Sequence, residues 1–382
     1  MAEGARFIHT ADWQLGLHAH HVPGDAGAEV RGARTETVRR IAEVAREAEA
    51  DFVVVAGDVF DHHQLDRVPL QRAFEALRGF SCAVYLLPGN HDPFTPDALY
   101  RTEWWTRECP PHVHVLGARR PRDHGNATLL PCPLLERHSL DPTAWLNARV
   151  GPQDRIRVGV AHGGIREILQ AMTQDTEAEI HNDIPIGLAD GAGLDYLALG
   201  DWHGKVKVND RTWYPGTPEP TRFKEKDPGH VLLVEVDRPR SLPRVTPHRV
   251  ARFTWHKIER TLLTAEHLAS LEQEIDDLPN GQDTLVELEL KGQLDLRLTA
   301  RLRQEVIPRS KGRVKHLRLR DEALTVRLTD ADLASIPQEG WVGRVIARLQ
   351  AGVEGYSPEA CQEALRVLHE LHAQTESAGG AR

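Results

Sequence analysis

"DFVVVAGDVFD", residues 51–61, decides the fold. Phe52–Val55 is a run of apolar residues without the alternation of a half-exposed strand, so it reads as a strand buried on both faces. The run stops at Gly57, with Asp58 immediately after it and Asp61 three residues later. Working outward, runs of the same kind recur as "RFIHT" (6–10), "AVYLLPG" (83–89), "RIRVGVAHG" (155–163), "DYLALGD" (195–201) and "HVLLVEV" (230–236). Between the first two strands, "RTETVRRIAEVAREAE" (34–49) places Val38, Ile41, Ala42 and Ala45 on one face of a helix. Buried strands alternating with amphipathic helices over residues 6–237 predict an α/β layered domain.

The pattern changes after "VDRPRSLPRVTPHR" (236–249), which is rich in proline and arginine. Strand-like "RFTWHKIE" comes next, then helical 264–277, "TLVELELKG" (284–292), helical 295–306 and "HLRLRDEALTVRL" (316–328). That β-α-β-α-β order predicts a small α+β accessory domain. Residues 338–374 read as terminal helices broken at "GYSPEA" (355–360), and "TESAGGAR" (375–382) as a disordered tail. The expected division is 1–240, 250–330 and 331–382.

Of the 382 residues, 40% are hydrophobic and 27% charged, the balance of an ordinary globular chain. No apolar stretch approaches the roughly 20 residues of a membrane helix, and "MAEGARFIH" lacks the basic and apolar regions of a signal peptide. Cys82, Cys109, Cys132 and Cys361 have no C-x-x-C spacing, which argues against a zinc–thiolate site or a disulfide framework and for a reducing cytoplasm. A net charge of −9 excludes coating of duplex nucleic acid by bulk electrostatics. A polyanion would have to be met by a local basic patch or by bound metal ions. "RSKGRVKHLRLR" (309–320) reads either as such a patch, guiding a DNA strand, or as a solvated strand face.

The chemical signal lies in the residues just past each strand. Asp12 and Gln14 come after the first run, Asp58 and Asp61 after the second, and Asn90, His91 and Asp92 after the third. The fourth ends in His162, and the fifth in Asp201 and His203. Taken singly, an aspartate after a strand is more often a turn former or a helix cap. Five strand ends in succession, all at carboxyl ends where α/β sheets bind ligands, reverse that preference. Asp12, Asp58, Asp201, Gln14, Asn90, His162 and His203 are three carboxylates, two amides and two imidazoles. The set suits octahedral ions such as manganese or magnesium. Seven ligands are too many for one ion and fit two, which at about 3.5–4 Å apart clamp a phosphate. Asp58 is then the bridging carboxylate.

This order of motifs resembles the calcineurin-like metallophosphoesterases over residues 6–237, which implies a β-sandwich flanked by helices. "HTADWQLG" (9–16) is more closely similar to the SbcD type of DNA-repair nuclease, whose accessory capping domain the C-terminal α+β segment resembles. Gln14 and Asp201 depart from the histidines of that pattern. With "GDWHG" and "YPGTPEPTRF" (214–223) they resemble the MPE-type manganese-dependent DNA endonucleases, encoded beside Lhr-type helicases, a ligase and an exonuclease. The resemblance implies two divalent metals, manganese in this branch. Asp12, Gln14, Asp58 and His203 would hold the first, and Asp58, Asn90, His162 and Asp201 the second. It implies His91 as acid to the leaving oxygen or as phosphate donor, and Asp61 as the residue that orients it.

The substrate expected on this basis is single-stranded DNA, cut internally, with a repair helicase, ligase or exonuclease as possible partners. Three rivals stand beside it: an SbcD-like exonuclease subunit serving an ATPase, a small-molecule phosphodiesterase, and a non-enzymatic scaffold whose metal site is degenerate at Gln14 and Asp201. Arg222 and Phe223 are candidates to touch a phosphate and stack a base. His62, with His63, is a candidate to approach the substrate. Trp104 and Trp105 suit core and stacking platform equally.

Overall fold

A computed structural model describes residues 4–148, 150–173, 181–336 and 338–379. The strands of the first part are β1 (Ala5–Thr10), β2 (Phe52–Val55), β3 (Ala83–Leu86), β4 (Val113–Val115), β5 (Arg122–His124), β6 (Ala127–Cys132) and β7 (Ile156–His162). They continue with β8 (Tyr196–Gly200), β9 (Val206–Lys207), β10 (Thr212–Tyr214), β11 (His230–Val236) and β12 (Arg244–Arg249). One sheet runs β12-β11-β1-β2-β3-β4 and another β5-β6-β7-β8-β10-β9. Most of the apolar runs pair in parallel, β1 with β2, β2 with β3 and β7 with β8, as strands buried on both faces do, while β11 pairs antiparallel with β1.

Side-chain alternation along each strand separates two interiors. Phe7, Phe52, Val54 and Tyr85 of the first sheet pack with Leu129, Val158, Val160 and Tyr196 of the second. The Phe7 and Phe52 rings stack at 4.8 Å, and Tyr196 meets Phe7 edge-on at 5.6 Å. The other face of the first sheet presents Ile8, Val53, Val55, Val84 and Leu86 to Val38 and Ile41 of the helix Gly24–Glu47, and to Leu70 and Phe74 of the helix Arg67–Leu77. Each large apolar side chain so buried contributes roughly 1.5–3 kcal/mol. The first helix begins ten residues before the stretch read as helical, because Val30, Ala33 and Arg34 extend its buried face toward the amino end.

The proline- and arginine-rich stretch 236–249 contains a strand. β12 pairs antiparallel with β11, from Glu235 opposite Arg244 to His230 opposite Arg249. Pro247 is tolerated there because β12 is an edge strand. The chain accordingly divides later than residues 240–250, into Met1–Thr254 and Trp255–Arg382.

The second unit contains β13 (Thr254–Leu262), helix Ala265–Asp276, β14 (Thr284–Asp295), the consecutive helical stretches Leu296–Arg301, Leu302–Val306 and Ile307–Arg313, and β15 (His316–Arg327). Its three-stranded sheet encloses Ile258, Leu271, Val286, Leu288, Leu302 and Leu317. The basic run 309–320 is split between the last helical stretch and β15, and much of its charge is paired: Arg309 with Asp276, and Arg318 and Arg320 with Glu287 at 3.3 and 3.1 Å. Helices Gly340–Ala351 and Pro358–Gly379 complete the unit. The second takes in residues 375–379 of the tail read as disordered, while 380–382 lie outside the described residues. Among the described residues no helix is long and apolar enough to cross a membrane.

Candidate metal centre

The loop after β1 is zipped onto the loop after β2. Asp12 N donates to Gly57 O at 3.0 Å, Gln14 N to Asp58 O at 2.9 Å, and Leu15 N to Val59 O at 2.9 Å. Asp12, Gln14, Asp58 and Asp201 all have left-handed backbones, with φ of 53, 43, 51 and 98°. Such conformations cost on the order of 1–3 kcal/mol each, and they persist where surrounding bonds over-determine them. Two glycines permit the close approach. A Cβ on Gly57 would lie 2.1 Å from Nδ1 of His162, and one on Gly89 would lie 2.2 Å from Oδ1 of Asp58.

Asp12, Asp58 and His162 are buried, with ligand atoms all within 4.8 Å of one another. His162 Nδ1 donates to the Ala56 carbonyl at 2.9 Å. Its Nε2 therefore faces inward, 3.3 Å from Asp58 Oδ1, 3.7 Å from Asp201 Oδ1 and 2.8 Å from Asn90 Oδ1. The Asn90 oxygen itself points at other acceptors; with the amide turned over, its nitrogen would reach both Asp58 oxygens at 3.2 Å. His203 is held in the same manner. Its Nδ1 donates to Glu225 Oε1 at 2.7 Å, which leaves Nε2 at 3.3 Å from the Gln14 amide nitrogen. Asp201 N donates to both oxygens of Asp12, at 3.1 and 3.2 Å.

Burial pushes the Asp12 carboxyl up to about 7, against the pull of His162 and His203. Burial raises Asp58 as well, but His162 and His91 outweigh it and hold that carboxyl below its usual range. Burial would lower His162, yet Asp58, Asp12 and Asp201 keep it well above the ordinary histidine value. Buried acids whose ligand atoms crowd within 4.8 Å, and which draw protons onto their own histidine, mark a centre with more lone pairs than its side chains can satisfy. Divalent cations resolve this, so the residues fit them.

His91 lies at the rim, half-buried. Its backbone N–H donates to Asp58 Oδ1 at 2.9 Å. Its Nδ1 donates to the Asp61 carbonyl at 2.9 Å and lies 3.4 Å from that residue's carboxylate. The Asp61 side chain, and after it the Asp58 charge, raise the imidazole to about 9 against the cost of burial. Nine of the residues singled out in the sequence thus form one connected network. The His62 ring stacks at 6.1 Å on His18, which stacks at 5.1 Å on His20, and its charge helps to lower the Asp61 carboxyl. Arg222 is exposed and Phe223 half-buried in the segment between Thr221 and Glu225. Trp105 is core, edge-on to Tyr100 at 4.8 Å and to Phe60 at 5.9 Å.

Several supporting residues carry no signal of their role in the sequence. Glu225 orients His203 and accepts from Thr221 N at 2.8 Å. Asp92, buried and raised by that burial to about 6, accepts from Gly89 N at 2.8 Å, Phe60 N at 3.0 Å and the Tyr100 hydroxyl at 2.5 Å. Thr217 Oγ1 donates to the Asp12 carbonyl at 3.0 Å, and buried Arg34 donates to the Trp13 carbonyl at 2.7 Å. Asp92 is visible in "GNHD", though its task as an acceptor is not; Glu225, 22 residues beyond its histidine, has no local signal.

The fold is that of the calcineurin-like phosphoesterases. The chain belongs to that family, whose match spans residues 5–234. A metal-dependent phosphoesterase is the class so defined. Among particular relatives, the chain is 25% identical over 308 residues to the Uncharacterized metallophosphoesterase YhaO of Bacillus subtilis, covering 75% of this chain and 71% of that one. It is 32% identical over 118 residues to the DNA double-strand break repair protein Mre11 of Archaeoglobus fulgidus, covering 30% of this chain and 25% of Mre11. Among solved structures, purple acid phosphatase PPD1 from yellow lupin (Lupinus luteus) seeds aligns at a TM-score of 0.40 and 12% identity, over 65% of this chain and 52% of that one.

Proposed function

We propose that the chain is a binuclear-metal DNA phosphodiesterase, most concretely a manganese-dependent endonuclease that cuts single-stranded DNA in repair. The observation that carries this reading is the convergence of inward-facing oxygen and nitrogen atoms of Asp12, Asp58, Asn90, His162 and Asp201 beside the half-buried His91. The first ion would be held by Asp12, Gln14, Asp58 and His203, and the second by Asp58, Asn90, His162 and Asp201. When bound, two such ions supply charge to the oxygens of the scissile phosphate and activate water at neutral pH.

The protein's own residues do the rest. Ala56 O and Glu225 fix the ring orientations of His162 and His203, so that each presents Nε2 inward. Asp61 holds His91 by Nδ1, which leaves Nε2 to hand a proton to the leaving oxygen. DNA as substrate is supported by the similarity to Mre11, a double-strand break repair protein. A second reading, an exonuclease subunit serving an ATPase, is favoured by Trp341 and Leu371, which are 65% and 53% exposed on the two terminal helices.

Purified protein with manganese and no ATP, given covalently closed single-stranded circles and linear strands of the same sequence, separates the two. Cutting of circles, abolished by Asp58→Ala, supports the endonuclease. Loss of linear strands alone supports the exonuclease. Wild-type turnover in Asp58→Ala overturns the binuclear reading.

A further inference from the structure

Beside the candidate ligands Asn90 and Asp201 the protein has a cavity of about 190 Å³ whose walls are of two kinds. Ile165, Ile168, Trp202 and Tyr214 make an apolar and aromatic side, in which Ile165 and Tyr214 are buried. Opposite in chemistry are the paired imidazoles of His138 and His181, with ring centroids 4.2 Å apart. Among the described residues no lysine or arginine lines the cavity, and Asp201 puts a carboxylate on its wall. A second phosphate would therefore meet no lysine or arginine and one repulsive group. A neutral, flat group with polar edges suits it better. The volume lies below the roughly 300–1,000 Å³ of sites for drug-sized ligands, so it admits a single ring system rather than a dinucleotide.

Resting on the DNA phosphodiesterase reading, we infer that this cavity takes the base of one unpaired nucleotide next to the scissile phosphate. A base still paired in a duplex cannot enter such a recess without leaving its stack, at a cost of a few kcal/mol. Unpaired strands do not bear that cost. The cavity, rather than the metal ligands, thus supplies a preference for locally single-stranded DNA, and Ile168 and Trp202 become specificity-determining residues. His138 offers ring nitrogens to the polar edge of the base, while the apolar side receives its face.

The test is a series of single-stranded oligonucleotides, identical but for one abasic nucleotide stepped across the cleaved bond, assayed with the full chain and manganese. Stacking of a base on aromatic side chains is worth about 1–3 kcal/mol, so an abasic residue at one flanking position is expected to lower kcat/KM by about 5- to 150-fold, with neighbouring steps near unity. Ile168→Trp, which fills the recess from a helix that holds no candidate ligand, should lower cleavage of the intact strand by raising KM. Its loss and the abasic loss should not multiply when combined, because both remove one contact. A flat abasic profile on DNA that is still cleaved overturns the cavity and leaves the phosphodiesterase reading standing. Fully multiplicative losses do the same. Hydrolysis of bis(p-nitrophenyl) phosphate without cleavage of any oligonucleotide overturns the DNA reading, and the cavity assignment with it.

Discussion

At the scale of single residues, the centre depends on atoms that are absent as much as on those that ligate. Gly89 has no unusual backbone angle, but a Cβ there would sit 2.2 Å from Asp58 Oδ1 and 2.4 Å from Asp58 N. Gly89→Ala should therefore displace the central carboxylate while sparing the core. Phosphodiesterase turnover is expected to fall at least a hundredfold with Tm within a few degrees of wild type; full activity would show that the carboxylate can shift at no cost. Glu225→Gln tests the opposite kind of support. It retains a hydrogen-bond acceptor but removes the charge behind His203, and partners of this kind are worth 10–100-fold in metal affinity. Calorimetric titration with manganese should show weakening in that range, and unchanged affinity would remove Glu225 from the centre. The candidate ligands stood out in the sequence because each lies at or within a few residues of the carboxyl end of a strand. Glu225, Tyr100 and Thr217 were not, because their contacts close over 22, 8 and 205 residues of chain and leave no spacing to read. The left-handed backbone at Gln14 was equally hidden, since glutamine gives no hint of it.

At the scale of elements, the sequence is legible where strands are buried on both faces and silent at the edges. β2, β7 and β8 announce themselves by unbroken apolar runs. β5 ("RDH"), β9 ("VK") and β12 ("RVTPHR") have almost no apolar pattern and form because a longer neighbour offers a free edge. The same layering buries a titratable group. On β1, His9 faces the second sheet, where Nε2 donates to the Leu199 carbonyl at 3.1 Å and Nδ1 accepts from the Tyr196 hydroxyl at 2.9 Å. The bond from Tyr196 needs the neutral ring, and burial lowers its pKa to about 3, against the pull of Leu199. The folded value lies below the unfolded value of about 6.5, so the unfolded chain takes up the proton first as pH falls. Stability from this source is complete above about pH 6.5 and is lost between there and about pH 3, about 2 kcal/mol of it by pH 5. Urea midpoints at pH 7 and pH 5 should separate more for the wild type than for His9→Gln. Equal separations would mean that His9 titrates normally in the folded chain.

At the scale of the whole molecule, function and stability are linked unevenly along the chain. All nine residues of the network lie in Met1–Thr254, while Trp255–Arg382 has its own core of Ile258, Leu271, Val286 and Leu302. Metal that binds the folded centre and not the unfolded chain stabilises by mass action, about 2.7 kcal/mol at a hundred times Kd. For a unit of this size, 1 kcal/mol moves Tm by about 2–4 °C, so saturating manganese should raise the transition of the first unit by about 5–10 °C. Buried Asp12, pushed up to about 7 by its surroundings, adds a condition. Binding must displace protons already drawn into the centre, so the shift should shrink as pH falls from 7 toward 5.5. Scanning calorimetry of the intact chain, with manganese and with chelator, reads this directly, and Asp58→Ala identifies the transition. The variant should lose the manganese shift while the transition of the second unit stays in place. A shift that survives Asp58→Ala would locate the cations away from the five strand ends, and the acids gathered there would then need another explanation for their left-handed backbones and crowded lone pairs.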